Sequence, residues 1–590
     1  MIVLLAMTVL IALLSIGSQI AISDIRSQAS STRLNQGFYA AEGGLNVRAD
    51  KIRLKFVGYN RPEGIGPTDT NSCAIGNKGT GDMICDTIKI GSRDVTTYVQ
   101  DITNPPSGQT GTVSAGEDFA GLSFLQYVYR VRSEAQLPGA DNQEASVEMQ
   151  LQSRLVPLFQ FAAFYQDDLE IQPGAPMTLN GRVHTNANLY LNPITSLTIG
   201  GKVTAAGDIV RTGKIASPCT SANNVIIAGQ TLGCVGTLSD PADPRLTPYN
   251  KNLIPRQSLL VVPTMGNLAP SAGNELWDKA DLRIVATRVT SGVRFRNTYT
   301  PGTYRLSVFN TNGDRNGALS DALNSALSLG FNRTLTAKGW WDQRENIFYD
   351  IIDIDLKRIL DNIGSFRNSL GQILSLSDET DGGIAIHLSV NDGDTSTNDG
   401  NTIVKKNYAF RLGTSASQLQ TISNSRNVQP KGLTIASNQP IYTWGNYNSV
   451  NKIPASIIAD AINVTSTAAL SSMPLEVDQV PVASETTVNA AFLSGVDDTP
   501  STGTNRSGYN GGLENYPRFH ENWAGKNFNY QGSFVSLGNS LHTDGQQSKA
   551  RYSPPNRNWG FDESFLDASK LPPLTPRFVY LRQLNFARSY

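Results

Sequence analysis

The sequence predicts an α+β fold that is mostly β, with one long N-terminal helix followed by a sheet and a large, β-solenoid-like body. An uncharged apolar run opens the chain and is long enough for a helical stalk. Later segments alternate apolar and polar residues over short runs that end in glycine-rich turns, which is typical of strands. Only 17% of the 590 residues are charged, whereas glycine numbers 52, and this turn-rich composition is typical of extracellular β-structure.

Composition also narrows the functional classes. The 49 Lys and Arg residues against 50 Asp and Glu leave a net charge of −1, so there is no electrostatic reason to expect a nucleic acid partner. Hydrophobic residues make up 39% of the chain, which is enough for large cores. Because the chain has only four histidines and four cysteines, a multi-site zinc protein is excluded and histidine catalysis has few candidates.

The first 22 residues carry no charge, and the first charged residues are Asp24 and Arg26. A helix needs about 20 apolar residues to span a bilayer, and this run is just long enough. A secretory signal peptide would start with basic residues and end at a small-residue cleavage site, and neither feature is present here. We therefore expect a membrane-spanning segment.

The helical pattern continues past this segment as an amphipathic helix. Its apolar positions recur at steps of three, four or seven residues, which places them on one face. At 1.5 Å per residue, a helix of about 55 residues is roughly 80 Å long, apolar all round at first and amphipathic later. Because glycine weakens helices, we expect a kink or local melting at Gly37, Gly43 and Gly44. The apolar positions of the second half are Leu34, Phe38, Ala41, Leu45, Ile52 and Phe56.

The segment QGFYAAEGGLN, from Gln36 to Asn46, follows the apolar run at a characteristic distance. Together they resemble the N-terminal module of type IV pilin-like proteins of the PilX type, in which an apolar helix leads into an AAEAGL-like motif about forty residues along the chain. Here that motif consists of Ala40, Ala41, Glu42, Gly43, Gly44 and Leu45.

The resemblance implies cleavage by a prepilin peptidase, retention in the inner membrane, and then export into a filament by the pilus assembly machinery. It also implies a homo-polymer in which stalk helices form the filament core and globular heads form the surface, with adhesion or motility as the cellular role. No cofactor is implied. The residues that would form the assembly helix are Met1, Leu4, Leu5, Val9, Leu13, Ile16, Ile20, Leu34, Phe38, Ala41, Glu42 and Leu45.

One position departs from the pattern. Most pilins carry a glutamate at the fifth mature residue, where it pairs with the free amine of a neighbour, but position 5 here is Leu5. In many pilins a Met-Ile-Val run directly follows that glutamate, much as Met1, Ile2 and Val3 stand here. Either the chain lacks the pairing carboxylate, or its natural start lies a few residues earlier.

We expect six segments along the chain, which differ in pattern and composition. They are residues 1–57, the hydrophobic and amphipathic stalk helix; 58–160, a pilin-like β head with a Cys73–Cys85 loop; 161–315, the first part of a β-rich body; 316–375, a helical insertion; 376–480, the second part of the β-rich body; and 481–590, a C-terminal region rich in Asn, Gly and aromatic residues.

Two alternating runs within the head predict a hairpin. Tyr127, Tyr129 and Val131 face one way in the first run, as do Val147 and Met149 in the second, and LPGADNQ separates the runs. We expect this sheet to pack against the amphipathic half of the helix.

The four cysteines form two local pairs, each flanking a polar loop. An even count and an exported context favour the disulfides Cys73–Cys85 and Cys219–Cys234, each worth about 3 kcal/mol in the chain-entropy model. A metal site is the alternative, but neither pair has CxxC spacing and no histidine lies nearby.

Short strands with regular Asn-Gly or Gly-Gly turns predict a β-solenoid in the body. We place strands at Met177–Leu179, Leu189–Leu191, Leu197–Ile199 and Ile209–Val210. Related patterns at 432–448 and 453–466 predict further rungs of the same body, with an insertion between the two parts. The insertion has helical periodicity at 318–329 and 356–363 and a predicted strand pair at 340–356. The segments DDLEIQPG, GRVHTNANLYL and LENYPRFHENW resemble those of large exported bacterial proteins with PilX-type heads.

Closely spaced aromatic residues near the C-terminus have two interpretations. They could form an exposed carbohydrate-binding platform, or they could pack against the β-body, which is the more ordinary expectation. The residues are Tyr516, Phe519, Trp523, Phe528, Tyr530 and Phe534.

Catalytic motifs are sparse. A glycosidase needs two carboxylates some 5–10 Å apart, and β-helical bodies can host polysaccharide enzymes. His184 lies at a predicted strand turn, where we expect a structural role. The carboxylate clusters are Asp167, Asp168 and Glu170, and Asp350, Asp353 and Asp355.

Calcium is the best metal candidate. The loop 391–401 offers Asp392, Asp394 and Asp399 with two glycines, and calcium prefers six to eight oxygen ligands. The loop lacks the terminal glutamate of an EF-hand, and an ordinary polar loop is the alternative.

The function we expect is a structural one, that of a subunit of a type IV pilus-like extracellular filament that polymerises through its N-terminal helix. The alternatives are a membrane-anchored surface adhesin, a minor or tip pilin, and a polysaccharide-active β-helix enzyme.

Overall fold

A computed structural model describes residues 1–57, 62–140, 142–215, 218–220, 224–295, 298–330, 332–378, 382–391, 407–469, 480–496, 512–543 and 552–589. The chain divides into two compact units. The stalk unit comprises Met1–Gly111, Phe124–Leu155 and Val579–Tyr590, and the solenoid unit comprises Thr112–Ser123 and Val156–Phe578. The predicted α+β, mostly β class with a long N-terminal helix is confirmed.

The stalk unit combines one helix, Ile2–Val57, with a six-stranded sheet; we call Ile2–Val57 the stalk helix. Neighbouring strands of the sheet, in spatial order, are Asp86–Ile90, Arg93–Asp101, Ser123–Gln136, Ala145–Pro157 and Arg577–Ser589, and Gln109–Thr112 also pairs with Ser123–Gln136. The predicted hairpin is confirmed, because Val131 lies opposite Met149 and Tyr129 opposite Leu151 in an antiparallel pair. Alternate residues of these strands are buried, so one face of the sheet forms the core of the unit.

The solenoid unit begins with coils of about 20 residues, each made of three short strands. The coils are Phe161–Tyr165, Leu169–Ile171 and Met177–Leu179; then Arg182–Thr185, Leu189–Leu191 and Ser196–Ile199; then Val203–Ala205, Ile209–Val210 and Asn224–Ile227. Equivalent strands of successive coils pair in parallel, which forms three sheets, and the predicted short strands of this region are confirmed. Further strands here are Gln230–Leu232, Thr237–Leu238 and Leu253–Ile254.

Close approach of backbones fixes the corners of these coils. A Cβ atom on Gly201 would lie 2.4 Å from the carbonyl carbon of Gly181, one coil earlier, so only glycine fits there. Apolar residues at the same place in each coil point inward and stack, as Ala163, Val183 and Val203 do at intervals of 20 residues.

The second part of the solenoid has two parallel strands per coil. One series contributes Ile384–Asn391, Leu433–Ser437, Ala455–Ala459, Thr486–Ser494 and Asn527–Ser536 to a sheet of 14 strands. The other forms a six-stranded sheet of Lys338–Asp342, Ile347–Ile354, Tyr408–Leu412, Ile441–Trp444, Ile462–Thr465 and Arg518–Phe519. The 14-stranded sheet also contains Leu282–Thr290, Thr303–Phe309, Arg315–Asn316, Leu335–Thr336 and Asn556–Phe561.

The two parts meet within one sheet, although not in chain order. Asn527–Ser536 pairs in parallel with Phe161–Tyr165, the first strand of the first coil, so the later coils wind back toward the start of the solenoid. One row of buried residues therefore runs across ten of the 14 strands: Leu282, Ile386, Ile435, Ile457, Phe492, Phe534, Ala163, Val183, Val203 and Leu253.

Helices are short in the solenoid unit. The helices Gly317–Ala326 and Leu356–Asp361 flank the strands Lys338–Asp342 and Ile347–Ile354, which pair antiparallel as the sequence predicts for 340–356. A third α-helix in the described part of this unit is Glu275–Asp278, and Val293–Phe295 pairs with Thr298–Thr300. Short 3₁₀ helices across the two units are Cys73–Ile75, Gly81–Met83, Leu158–Gln160, Pro244–Tyr249, Met265–Leu268, Ile363–Ser365, Leu513–Asn515, Glu563–Leu566 and Ala568–Lys570.

Candidate assembly helix and buried polar clusters

The stalk helix has two halves with opposite surroundings. Every residue from 1 to 36, the bare half, is exposed, whereas buried residues recur from Gly37 onward in the docked half, 37–57. The bare half is also long and apolar enough to cross a membrane. From Ile2 to Ser23 it has 22 uncharged residues and a length of about 33 Å, close to the roughly 30 Å of a bilayer's hydrocarbon core.

The predicted assembly-helix residues divide between the two halves. Seven of them lie on the bare half with side chains 52–108% exposed: Met1, Leu4, Leu5, Val9, Leu13, Ile16 and Ile20. Leu34 is also exposed. Ala41 and Leu45 are fully buried, and Phe38 and Glu42 are half-buried.

The docked half packs on the strands Asp86–Ile90 and Arg93–Asp101. Ala40, Ala41, Leu45 and Ile52 share a core with sheet residues that include Val95, Val99, Tyr129, Val131 and Val147. The amphipathic face predicted from the sequence is therefore the face that docks, although it begins at Gly37 and not at Leu34.

Small residues of the AAEGGL motif let the helix approach the sheet closely. A Cβ atom on Gly44 would lie 2.5 Å from Cγ1 of Val95 and 2.9 Å from Oγ of Ser133. The expected melting at the three glycines is wrong, because the helix continues unbroken to Val57. Tertiary packing outweighs the propensity cost of glycine, since removing the side chain at position 44 is what permits contact.

Ion pairs hold the docked half at both ends. Near its start, Arg33 of the helix and Arg93 of the sheet both bind the buried carboxylate of Glu144, with 2.7 Å between Arg93 Nε and Glu144 Oε2. Burial alone would raise the pKa of Glu144, but the hydrogen bonds from Arg33 and Arg93 hold that pKa below its usual value.

At the other end, the buried Arg48 donates hydrogen bonds to the carbonyl oxygens of Asp82 and Ile84, at 2.8 and 2.7 Å. Lys51 binds the carboxylate of Asp86 at 2.7 Å. Lys55 binds the carboxylate of Asp82 at 2.8 Å. Sequence reasoning missed these charged anchors, because nothing in the pattern of an exposed helix face shows which of its charges meet strands far away in the chain.

Each cysteine pair forms its disulfide within one unit. Cys73 is bonded to Cys85 in the stalk unit, and Cys219 is bonded to Cys234 in the solenoid unit.

Five of the six carboxylates considered for catalysis accept hydrogen bonds from named residues of the fold, namely Asp168, Glu170, Asp350, Asp353 and Asp355. Asp168 accepts hydrogen bonds from the backbone and side-chain nitrogens of Asn188, and Asn188 in turn accepts one from the backbone of Asp208, which makes a corner ladder with a 20-residue step. Lys214 Nζ lies 2.8 Å from Asp168, and the backbone nitrogen of Lys214 donates to Glu170. Burial raises the pKa of Asp167, with Asp168 adding to the effect.

The second carboxylate cluster is split between different partners. Asp350 is fully buried and accepts hydrogen bonds from the hydroxyls of Tyr299 and Tyr304, each at 2.8 Å. Asp353 forms a bidentate ion pair with Arg411, with 2.7 Å between Arg411 Nε and Asp353 Oδ1 and 3.0 Å between Arg411 Nη2 and Asp353 Oδ2. Asp355 caps the helix Leu356–Asp361. The three carboxylates of this cluster therefore serve three separate structural contacts.

Three of the four histidines are buried and neutral at physiological pH. Nδ1 of His184 lies 2.7 Å from the hydroxyl of Thr204 in the next coil, and Nε2 of His387 lies 3.0 Å from the carbonyl oxygen of Leu268. Burial lowers the pKa of His184, His387 and His520 to about 4. His184 thus links coils, as a structural role at a strand turn implies.

The aromatic residues near the C-terminus pack inside the solenoid. All six are at most 3% exposed, and stacked or edge-on contacts join Tyr530 to Phe534 and Phe519 to Trp523. The exposed carbohydrate platform is therefore wrong. These rings fill the coils to which Arg518–Phe519 and Asn527–Ser536 belong.

Two features of the solenoid interior were not expected. Arg518 pairs with Glu345 in a fully buried cluster, and Tyr442 donates a hydrogen bond to Asp342 of the same cluster at 2.7 Å. Glu514 is also buried, and burial raises its pKa to about 7, with Glu170 adding to the effect and Arg557 opposing it.

The calcium candidates Asp392, Asp394 and Asp399 lie outside the described residues. Among the residues that the structure does describe, no group of three or more His, Cys, Asp or Glu side chains is placed to hold a metal ion.

The chain has a neighbour among solved structures, whereas no protein-family model and no curated protein matches it. Among solved structures, the chain is similar to the competence-associated pilin ComZ from Thermus thermophilus, at 13% identity over 94% of this chain and 96% of that one, with a TM-score of 0.23. A likeness at this TM-score assigns neither fold nor function to this chain.

Proposed function

We propose that this chain is a structural subunit of a type IV pilus-like extracellular filament, in which the bare halves of many copies pack together as the filament core. The observation that carries the proposal is the apolar run of the bare half, Ile2–Ser23, which has 22 uncharged residues over about 33 Å and in which every residue is exposed. Burying one Leu or Ile side chain contributes about 1.5–3 kcal/mol, so a row of them drives the helix out of water.

The apolar surface of the bare half can be buried in two environments, first in the membrane and then in the filament. In the inner membrane, lipid covers the apolar run while the charges at Asp24 and Arg26 lie at its edge. In a filament, the bare halves of neighbouring copies replace the lipid, and the β-rich units are carried on the surface. A prepilin peptidase and the pilus assembly machinery are the partners that this route requires.

The way in which the docked half is anchored also supports the proposal. A helix that packs with other copies must be anchored to the sheet of its own unit. Here the anchor combines the close approach at Gly44 with ion pairs from Arg33 and Lys51 to the sheet. The bare half is thereby displayed as an extension of a helix whose other end is fixed.

The first test is immunogold labelling of filaments sheared from cells that make the full chain. Label along filaments is the expected result. Label only at filament ends would indicate a minor or tip subunit. No label on filaments, with the protein retained in the membrane fraction, would contradict the polymer and favour an anchored adhesin.

A matched pair of variants tests the bare half directly. Leu13→Lys places a charge on an exposed leucine of the bare half, and Leu259→Lys does the same at an exposed leucine of the solenoid unit. We expect Leu13→Lys to abolish filaments because a lysine buried in an apolar core costs several kcal/mol, and Leu259→Lys to leave them intact. The membrane fraction is measured in parallel, so that a loss of insertion is distinguished from a loss of assembly.

A further inference from the structure

Asp24 and Arg26 are the only charged residues before Arg33. Both are exposed, and neither makes an ion pair or a side-chain hydrogen bond with any residue that the structure describes. Arg33, by contrast, binds Glu144 of its own chain. The bare half therefore carries one unpaired acid and one unpaired base.

The stalk helix cannot pair these charges with itself. Partners on a helix surface lie three or four residues apart, and no residue at those distances from Asp24 or Arg26 is charged. Two residues apart corresponds to about 200° around the axis and about 3 Å along it, so Asp24 and Arg26 point to opposite sides of the helix at nearly one level.

This arrangement suits repeated head-to-tail contact. A heterologous interface needs two different, complementary patches on opposite sides of each subunit, and a non-closing rotation then generates a helical filament. A carboxylate on one side and a guanidinium on the other supply such patches at one level of the stalk. An isologous pair would instead place like charges together.

Energetics favour the same pairing. Before assembly, both charges lie at the membrane edge, where water and headgroups solvate them. Packed among apolar helices, an unpaired charge loses that solvation at a cost of several kcal/mol, whereas a hydrogen-bonded pair recovers much of it. Arginine also presents a planar fork that matches a carboxylate.

We propose that Asp24 of one copy pairs with Arg26 of the next, and that this ladder of ion pairs sets the register of the stalk helices in the filament. The proposal rests on the proposed function, since it needs copies packed through their bare halves. Because Asp24 and Arg26 lie two residues apart, their pairing places neighbouring stalks with a small axial displacement of about 3 Å.

Charge reversal tests the pair in cells that make the full chain. Asp24→Arg alone and Arg26→Asp alone each put like charges together, and we expect filament yield to fall about tenfold or more. The double variant restores opposite charges, and we expect yield to return to within about threefold of the original. Single variants that assemble normally, or a double variant no better than the worse single one, would overturn the ladder.

Cysteine cross-linking gives a second measurement that does not depend on charge. All four native cysteines are paired in disulfides, so any new cross-link between copies must come from the introduced cysteines. We expect the variant Asp24→Cys with Arg26→Cys to form a ladder of linked multimers on mild oxidation. In the control, Ser23→Cys with Arg26→Cys, the two positions lie about 60° apart on one side of the helix and should give no ladder.

The outcomes separate this proposal from the one on which it rests. If the original chain forms no filaments, the proposed function fails. If it forms filaments but the charge-reversed double variant assembles no better than the worse single variant, only the Asp24–Arg26 pairing fails.

Discussion

Gly44 shows how a single missing side chain holds the docked half of the stalk helix against its sheet. Alanine there would gain helix propensity of about 1 kcal/mol, but its Cβ would lie 2.5 Å from Val95 and 2.9 Å from Ser133, both fully buried. Overpacking of this kind costs about 1–3 kcal/mol, so we expect Gly44→Ala to destabilise the stalk unit. Hydrogen exchange of strand Arg93–Asp101 in the full chain in detergent measures the effect.

The neighbouring glycine is the matched control. A Cβ on Gly43 would lie 3.2 Å from Cδ1 of Ile90, the mobile end of a side chain that can move aside. We expect Gly43→Ala to be neutral or stabilising, because helix propensity then dominates. Equal losses of protection in the two variants would contradict the close-approach argument and indicate a general intolerance of alanine in this turn.

Glu144 connects stability to pH in the stalk unit. Since Arg33 and Arg93 hold its pKa below the usual value, its contribution to stability is present above about pH 4.3 and is lost as pH falls through the lower folded pKa. We expect Glu144→Gln to lower stability at pH 7 by roughly 3 kcal/mol, because both guanidinium groups lose a buried partner, and to differ little from the original chain in strong acid. Hydrogen exchange measured against pH tests both statements.

A surface pair provides the comparison. Glu148 binds the guanidinium of Arg132 at 3.1 Å with both side chains about a quarter exposed. We expect Glu148→Gln to cost less than about 1 kcal/mol. A loss as large as that of Glu144→Gln would mean that burial is not what makes the Glu144 cluster important.

Glu514 predicts the opposite pH dependence in the solenoid unit. Its folded pKa of about 7 exceeds the usual value of about 4.3, so the folded state binds more protons between these limits and stability falls as pH rises through them. Near pH 4 we expect the Glu514→Gln variant to have the same urea midpoint of unfolding as the original chain. Near pH 8 we expect the midpoint of the variant to be higher than that of the original chain. Tryptophan emission reports this unit alone, because all six tryptophans lie within it: Trp277, Trp340, Trp341, Trp444, Trp523 and Trp559. If the variant instead had a lower urea midpoint than the original chain at pH 8, the buried carboxylate of Glu514 would be stabilised by its surroundings, which would contradict this prediction.

At the scale of elements, the sequence allowed individual strands to be predicted, but not the pairing of strands that lie far apart in the chain. The short strands around Met177, Leu197 and Ile209 could be predicted because their short apolar runs are separated by Asn-Gly or Gly-Gly turns. The return of Asn527–Ser536 to pair with Phe161–Tyr165 could not, because that contact joins strands more than 360 residues apart and leaves no mark on either segment. The same holds for Glu144, whose partners Arg33 and Arg93 become visible only when helix and sheet meet.

The 20-residue step predicts which deletions the solenoid tolerates. Removing residues 182–201 deletes one whole coil and places Val203 where Val183 packed on Ala163, with Ile209 replacing Leu189. Removing only 182–200 shifts the register by one residue, which turns inward side chains outward. We expect the 20-residue deletion to keep the Cys219–Cys234 bond and resistance to trypsin, and the 19-residue deletion to lose both. Equal resistance of the two would contradict the coil register.

At the scale of the whole molecule, one chain combines a helix that is exposed as far as Gln36 with a solenoid held together mainly by parallel strand pairing. Within the stalk unit, a few charged and close-packed contacts anchor the helix to the sheet. The solenoid unit is stabilised by rows of stacked apolar residues that each coil adds to the last. Their different sources of stability imply that the units respond separately to damage.

The two disulfides test this separation, because each closes a loop inside one unit. The sequence separations of 12 and 15 residues correspond to about 3 kcal/mol each in the chain-entropy model. We expect the double variant Cys73→Ser, Cys85→Ser to lose hydrogen-exchange protection in the stalk unit while the tryptophan transition stays in place. The variant Cys219→Ser, Cys234→Ser should move the tryptophan transition and leave the stalk unit protected. If either variant shifts both readouts equally, the chain unfolds as one cooperative block, and assembly through the stalk helix would then be coupled to the stability of the whole solenoid.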